Sequence, residues 1–89
     1  MIEKTITIQN KLGLHARAAV KLVNLANRFE SSVEIEKDGS RIDGKSVLGV
    51  LTLAATKGSV ILLAVSGRDE GKAVQALTEL INNKFHEDE

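Results

Sequence analysis

The stretch Val60-Ile61-Leu62-Leu63-Ala64-Val65 decides the fold, because it is a continuous run of six apolar residues in an otherwise mixed chain. A run of this length is typical of a central strand that is buried on one face and flanked on both sides. Lys57-Gly58 separates this run from the apolar segment that precedes it in the chain. The neighbours of this strand must therefore come from the other segments of the chain.

Two further segments alternate apolar and polar residues with the period of two that is typical of strands. In residues 2–8 isoleucines share one face and threonines share the other. In residues 33–36 a valine and an isoleucine alternate with two glutamates, and Asp38-Gly39 is a strong hairpin signal. Residues 40–42 can return as a short partner strand, so the sequence predicts four strands.

Three segments have the residue types and spacing of helices. Residues 16–27 carry one apolar stripe, and Ser46 is well placed as the N-cap of a short apolar helix over 47–53. Asp69 can cap a third helix that ends near Lys84. The order βαββαβα predicts a two-layer α/β sandwich, in which three helices cover one face of a largely antiparallel four-stranded sheet.

Composition bounds the domain count and the function classes. With 89 residues, no proline and no low-complexity segment, the chain is expected to form a single domain over residues 1–89. Twelve Lys and Arg balance twelve Asp and Glu, and only 2% of residues are aromatic, which argues against a nucleic-acid partner. No apolar run approaches the roughly 18 residues of a membrane span, so we expect a cytoplasmic protein without membrane insertion. With no Cys and two His, neither a metal site nor a cofactor is expected.

Residues 39–46, Gly39-Ser40-Arg41-Ile42-Asp43-Gly44-Lys45-Ser46, match the phosphate-binding P-loop pattern letter for letter. That motif requires a buried strand before the first glycine and a long helix after the serine. Here the first glycine belongs to the predicted hairpin and the following helix is short. The sequence therefore argues against nucleotide binding, which equilibrium ATP binding would test.

His15 is the stronger functional signal, because it lies where a loop enters the first helix, close to free backbone N–H groups. Such a position favours anions and a neutral imidazole, and a neutral imidazole is a nucleophile toward phosphorus. Arg17 could hold the phosphoryl oxygens with its guanidinium. The alternative is a surface histidine that only caps the helix. His86 lies in an acidic tail that we expect to be frayed, and it has no predicted role.

Two segments also carry a resemblance to a known family. Gly13-Leu14-His15-Ala16-Arg17-Ala18-Ala19 resembles the active-site motif of HPr, the histidine-containing phosphocarrier family of the bacterial phosphoenolpyruvate-dependent phosphotransferase system. Gly44-Lys45-Ser46-Val47-Leu48-Gly49-Val50-Leu51-Thr52-Leu53 resembles the regulatory-serine segment of that family. The likeness spans the whole chain and includes the order of the elements.

The resemblance implies a sheet order of 1-4-2-3 and a carrier role. His15 would accept a phosphoryl group on Nδ1 from enzyme I and pass it to an enzyme IIA domain, with Arg17 as stabiliser. The protein would then be a covalent carrier that does not turn over alone. The resemblance also implies that Ser46 is the site of an ATP-dependent HPr kinase, and an alternative is a mainly regulatory binding protein controlled at Ser46.

Two features depart from the usual pattern of the family. Ala18 stands where the family usually has proline, so we expect a less rigid turn beside His15. Residues 10–13 and 83–89 are more similar to the nitrogen-branch relative, NPr, which leaves the branch open.

A docking surface is expected beside His15. Residues 4–29 contain five basic residues and no acidic one, and the short helix has more apolar residues than one narrow core stripe needs. The alternative is that these apolar side chains all belong to the core. We expect a monomer whose partners meet the following residues: Ala16, Val20, Lys21, Val47, Leu48 and Leu51.

Overall fold

The computed structural model describes residues 1–87. The strands are β1 (Ile2–Thr7), β2 (Ser32–Lys37), β3 (Ser40–Asp43) and β4 (Val60–Ser66), and the helices are α1 (Ala16–Ala26), α2 (Val47–Thr52) and α3 (Glu70–Asn82). A 3₁₀ turn, Lys84–His86, follows α3. The order βαββαβα predicted from the sequence is confirmed.

The four strands form one sheet in the order β1-β4-β2-β3, and every neighbouring pair is antiparallel. The apolar run that decides the fold forms most of β4, which lies between β1 and β2. Within this run Ile61, Leu63 and Val65 are buried, whereas Val60 is 55% exposed at its beginning. A central strand buried on one face is therefore confirmed.

The two faces of the sheet carry different side chains. Directly paired residues of neighbouring strands lie on the same face, so the strand pairing shows which side chains each face carries. Ile61 pairs with Ile6 and Leu63 with Ile35, and all four belong to the buried core. The opposite face carries charge: the Arg41 guanidinium contacts carboxylates of Glu34 at 3.2 Å and of neighbouring glutamates. The helices cover the apolar face.

The third helix lies where it is predicted, but the side chain of Asp69 acts differently from the prediction. Asp69 occupies the N-cap position, but its side chain makes no capping hydrogen bond. Its carboxylate instead accepts hydrogen bonds from the backbone N–H of Glu30 and from the N–H and hydroxyl of Ser31. The helix ends at Asn82, before Lys84, because the chain then turns with positive φ.

Candidate functional site

The loop before α1 fixes the backbone of His15. Gly13 has a φ of +64°, and a Cβ there would lie 2.4 Å from the carbonyl oxygen of Ala55. The next N–H, that of Leu14, donates to the same carbonyl at 2.9 Å, and the Leu14 side chain is buried. Only glycine permits this close approach without a shift of the backbone.

His15 is the N-cap of α1, at the junction of loop and helix where the sequence places it. Its backbone is extended, its carbonyl accepts from the N–H of Ala19 at 2.8 Å, and its ring Nδ1 accepts from the N–H of Arg17 at 3.3 Å. The first turn of α1 contains no acidic residue. Nδ1 therefore lies in the positive field at the helix N-terminus.

The other ring nitrogen of His15 contacts the tail of the chain. Nε2 lies 2.5 Å from Oε2 of Glu87, and the two side chains are 26% and 14% exposed. Because Nδ1 is an acceptor, the proton of a neutral ring lies on Nε2, which then donates to the carboxylate. This tautomer leaves the lone pair on Nδ1.

Three side chains hold the tail in this position. Phe85 is fully buried, and its carbonyl accepts from Nζ of Lys21 at 2.6 Å. Asn10 donates from one amide group both to the carbonyl of Gly13 at 2.8 Å and to Oε1 of Glu87 at 3.0 Å. The prediction of a frayed tail is therefore wrong up to Glu87, because Phe85 packs into the core. Residues 88 and 89 lie outside the described residues.

Sequence reasoning missed Glu87 as a member of this site. Burial alone would raise the pKa of its carboxyl, but hydrogen bonds from Asn10 and His15 outweigh burial and lower the pKa below its usual value. The one signal in the sequence was Phe85, a large apolar residue within a polar tail. His86 is exposed in the 3₁₀ turn, so it remains without a role.

Arg17 is exposed on the first turn of α1, and within residues 1–87 its guanidinium makes no hydrogen bond or ion pair. The guanidinium is thus available to a ligand that approaches His15. Ala18, where the family usually has proline, is fully buried within α1. Ala18 thus lies in a helical turn packed against the core, and the lower rigidity expected from the missing proline stays a prediction.

Ser46 is the N-cap of α2, as predicted, and its Oγ accepts from the N–H of Gly49 at 3.1 Å. The P-loop interpretation of the preceding residues is not supported by their conformation. Residues 40–43 form β3 and pair with β2, and the N–H of Gly44 donates to the carbonyl of Val33 at 2.7 Å. The Nζ of Lys45 is also engaged, by the carbonyl of Phe29 at 2.8 Å.

The predicted docking residues lie on two helices that contact each other, α1 and α2. Leu48 is 77% exposed and Val20 is 43% exposed, and Ala16 is exposed beside His15. Val47 and Leu51 are partly buried against the core, so the sequence expectation that part of α2 stays exposed applies chiefly to Leu48.

Two further findings concern this surface. The ammonium group of Lys21, counted among the docking residues, has an internal partner in the carbonyl of Phe85. Sequence reasoning missed Leu12, which is 64% exposed in the loop that leads to His15. Val20 and Leu48, on the two helices that contact each other, are called the apolar patch below.

Within residues 1–87 no group of three or more His, Asp or Glu side chains is arranged to hold a metal ion. The same part of the chain contains no helix that is long and apolar enough to cross a membrane.

Comparison with solved structures defines the class of protein. The fold matches a crystal structure of HPr-C-His from Thermoanaerobacter tengcongensis with a TM-score of 0.96 and 43% sequence identity, and all of both chains is covered. It also matches an HPr dimer from the same organism with a TM-score of 0.79 and 44% identity, over 98% of this chain and 100% of the other. The class is therefore the open-faced β-sandwich of HPr structures.

Sequence comparison identifies the family. Residues 2–83 match the family model described as the PTS HPr component phosphorylation site. The phosphocarrier protein HPr of Neisseria meningitidis serogroup A is 51% identical over 89 residues, which cover 100% of both chains. The chain belongs to the HPr family of phosphocarriers of the phosphotransferase system, as its two motifs suggested, and its partners are proteins of that system.

Proposed function

We propose that His15 accepts a phosphoryl group on Nδ1 from phosphorylated enzyme I and passes it to an enzyme IIA domain. The observation that carries the proposal is the hydrogen bond from the Arg17 N–H to Nδ1, since it fixes the ring proton on Nε2 and points the Nδ1 lone pair at the N-terminus of α1. This 3.3 Å bond breaks when the lone pair turns to phosphorus. The lone pair attacks phosphorus, the N–P bond forms, and the bond from phosphorus to the donor breaks. The donor leaves with the electron pair of the broken bond.

The backbone and Arg17 supply the binding of the phosphoryl oxygens. The N–H groups in the first turn of a helix have no intrahelical acceptors, so they favour an anion at this position. The guanidinium of Arg17 adds a positive charge with a fork of donors that matches phosphoryl oxygens. Arg17 therefore acts as the stabiliser of the transferred group.

The partners of this carrier would meet the apolar patch together with Ala16, Val47, Leu51 and the basic residues of α1. Exposed apolar side chains rimmed by positive charge favour partners that present an apolar surface with acidic residues around it. In this proposal residues 1–89 act as one domain, as a cytoplasmic monomer.

A second proposed function is regulation at Ser46 by an HPr kinase, which the capping geometry favours. A phosphate on the Ser46 hydroxyl would lie beside the free N–H groups at the start of α2, where a negative charge is favourable. The same charge would stand next to Val47 and Leu48, within the surface that acidic partners must approach. Phosphorylation would then inhibit transfer without unfolding the domain.

The experiment supplies purified enzyme I and phosphoenolpyruvate and follows the intact mass of the protein. We expect one acid-labile phosphoryl group on the parent chain and on H86A, and none on H15A. Normal phosphorylation of H15A would contradict the assignment. A second step offers the phosphorylated protein to sugar-branch and nitrogen-branch IIA domains, and the faster acceptor identifies the branch.

A further inference from the structure

The carboxylate of Glu87 joins two separate parts of the site. One of its oxygens lies 2.5 Å from Nε2 of His15, and the other accepts from the amide of Asn10 at 3.0 Å. Asn10 is fully buried, and its amide also donates to the carbonyl of Gly13. One amide group therefore binds both the Glu87 carboxylate and the loop before His15. The orientation of the imidazole is thus fixed from both of its nitrogens.

We propose that Glu87 is a positioning residue for phosphoryl transfer at His15. The proposal rests on the proposed function and adds a residue to it. The carboxylate holds the ring proton on Nε2, and this keeps the lone pair on Nδ1. Nδ1 is the ring nitrogen that lies beside Arg17 and the helix N-terminus, which would bind the phosphoryl group. Carboxylates that orient a histidine through its second nitrogen act in this way in other catalytic sites.

The carboxylate also stabilises the product of the step. When the Nδ1 lone pair forms the bond to phosphorus, the ring keeps its proton on Nε2 and becomes cationic. The Nε2–H group then belongs to a cationic ring, so its hydrogen bond to Glu87 joins a positively charged donor to a negatively charged acceptor. Such hydrogen bonds are stronger than those of a neutral ring. No proton has to leave the ring during transfer, so Glu87 acts without becoming protonated.

The conformation of the tail shows that this contact is built into the fold. Lys84, Phe85 and His86 have φ values of 56°, 56° and 61°, a left-handed conformation that is unfavourable for residues other than glycine. Burial of the Phe85 ring and the bond from Lys21 to its carbonyl offset that cost. The turn they stabilise directs the next residue, Glu87, toward His15.

The test compares E87Q with E79Q, which removes the same charge from an exposed position on α3. The glutamine amide can donate as well as accept, so it no longer fixes the proton on Nε2. In E87Q the Arg17 N–H alone opposes the Nδ1–H tautomer. We therefore expect the ¹⁵N shifts of the two ring nitrogens of His15 to show a minor population of that tautomer in E87Q and the single Nε2–H tautomer in E79Q. We expect the transfer rate from enzyme I to fall about tenfold in E87Q only, since a neutral hydrogen bond replaces a charge-assisted one and a loss of about 1.4 kcal/mol corresponds to tenfold.

The two readouts separate positioning from a structural or docking role. A slower transfer with unchanged ring shifts would overturn the proposal, because Glu87 would then act elsewhere. Changed shifts with an unchanged rate would also overturn it. If the parent protein accepts no phosphoryl group at all, the proposed function fails, whereas the ring shifts still report whether Glu87 holds the Nε2 proton.

Discussion

At the scale of single residues, Gly13 sets the position of His15 through a close backbone approach. In G13A the new Cβ would meet the Ala55 carbonyl, and the φ of +64° is unfavourable for alanine by about 1–2 kcal/mol. We expect a loss of more than about 2 kcal/mol in the free energy of unfolding, measured by urea denaturation, and slower phosphorylation. The matched control is G39A, which has a φ of +84° but no atom within 4 Å, so it should lose only the conformational part. Equal losses in the two variants would show that the close approach is unimportant.

At the scale of elements, α2 combines a cap with a partner surface, and Ser46 variants separate the two. S46A removes the bond to the Gly49 N–H and should cost about 1 kcal/mol in the free energy of unfolding, with little change in transfer rate. S46D keeps a capping oxygen and adds a negative charge, so its thermal midpoint should hold or rise. Its phosphorylation by enzyme I should fall at least about threefold, because like charges at an interface are unfavourable, and less at high salt. If S46D is phosphorylated by enzyme I at the parent rate at low ionic strength, the regulatory role of Ser46 is wrong. The carrier role of His15 would not be affected by that result.

The exposed side of α2 allows a test of the apolar patch. Leu48 is 77% exposed, so L48D should change the free energy of unfolding by no more than about 0.5 kcal/mol. The KM for enzyme I should rise about tenfold, because a charge replaces an apolar contact in an interface. Q75D, at an exposed position on α3, provides the control and should leave the KM unchanged. If L48D unfolds by circular dichroism, Leu48 belongs to the core after all.

The elements themselves were predictable from the sequence, but the contacts between distant ones were not. Local periodicity predicts α1 and the strands, because side-chain burial repeats every 3.6 or 2 residues, and residue type at a helix start predicts Ser46 as a cap. The contact between His15 and Glu87 spans 72 positions and depends on where the tail turns back. Asp69 is a second example of a distant contact that the local sequence does not predict. Its carboxylate accepts hydrogen bonds from Ser31, 38 positions away, and makes no capping hydrogen bond to α3.

At the scale of the whole molecule, acid stability depends on carboxylates that tie distant segments together. A hydrogen bond from the Ser31 hydroxyl, with further help from the Glu30 N–H, lowers the pKa of Asp69 to about 2 from an ordinary value of 3.8. The pKa of Glu70 is lowered chiefly by a hydrogen bond from the amino terminus, and that of Glu87 is lowered as described above. A carboxyl whose pKa is lower in the folded than in the unfolded chain contributes stability above the unfolded pKa. That contribution is lost as the pH falls toward the folded pKa.

The free energy of unfolding should therefore stay nearly constant from pH 7 down to about 5 and decline steadily from about pH 4 to pH 2. In D69N the amide has only one accepting oxygen for the three donors of residues 30 and 31, so the variant should be less stable than the parent protein at pH 7. The difference should narrow as the pH approaches 2, where the parent carboxyl becomes protonated. Urea denaturation at pH 7, 4 and 2, followed by circular dichroism, measures both curves.

E79Q lacks a comparable network and serves as the control. A gap between D69N and the parent protein that is as wide at pH 2 as at pH 7 would mean that packing around residue 69, and not its charge, joins the loop before β2 to α3.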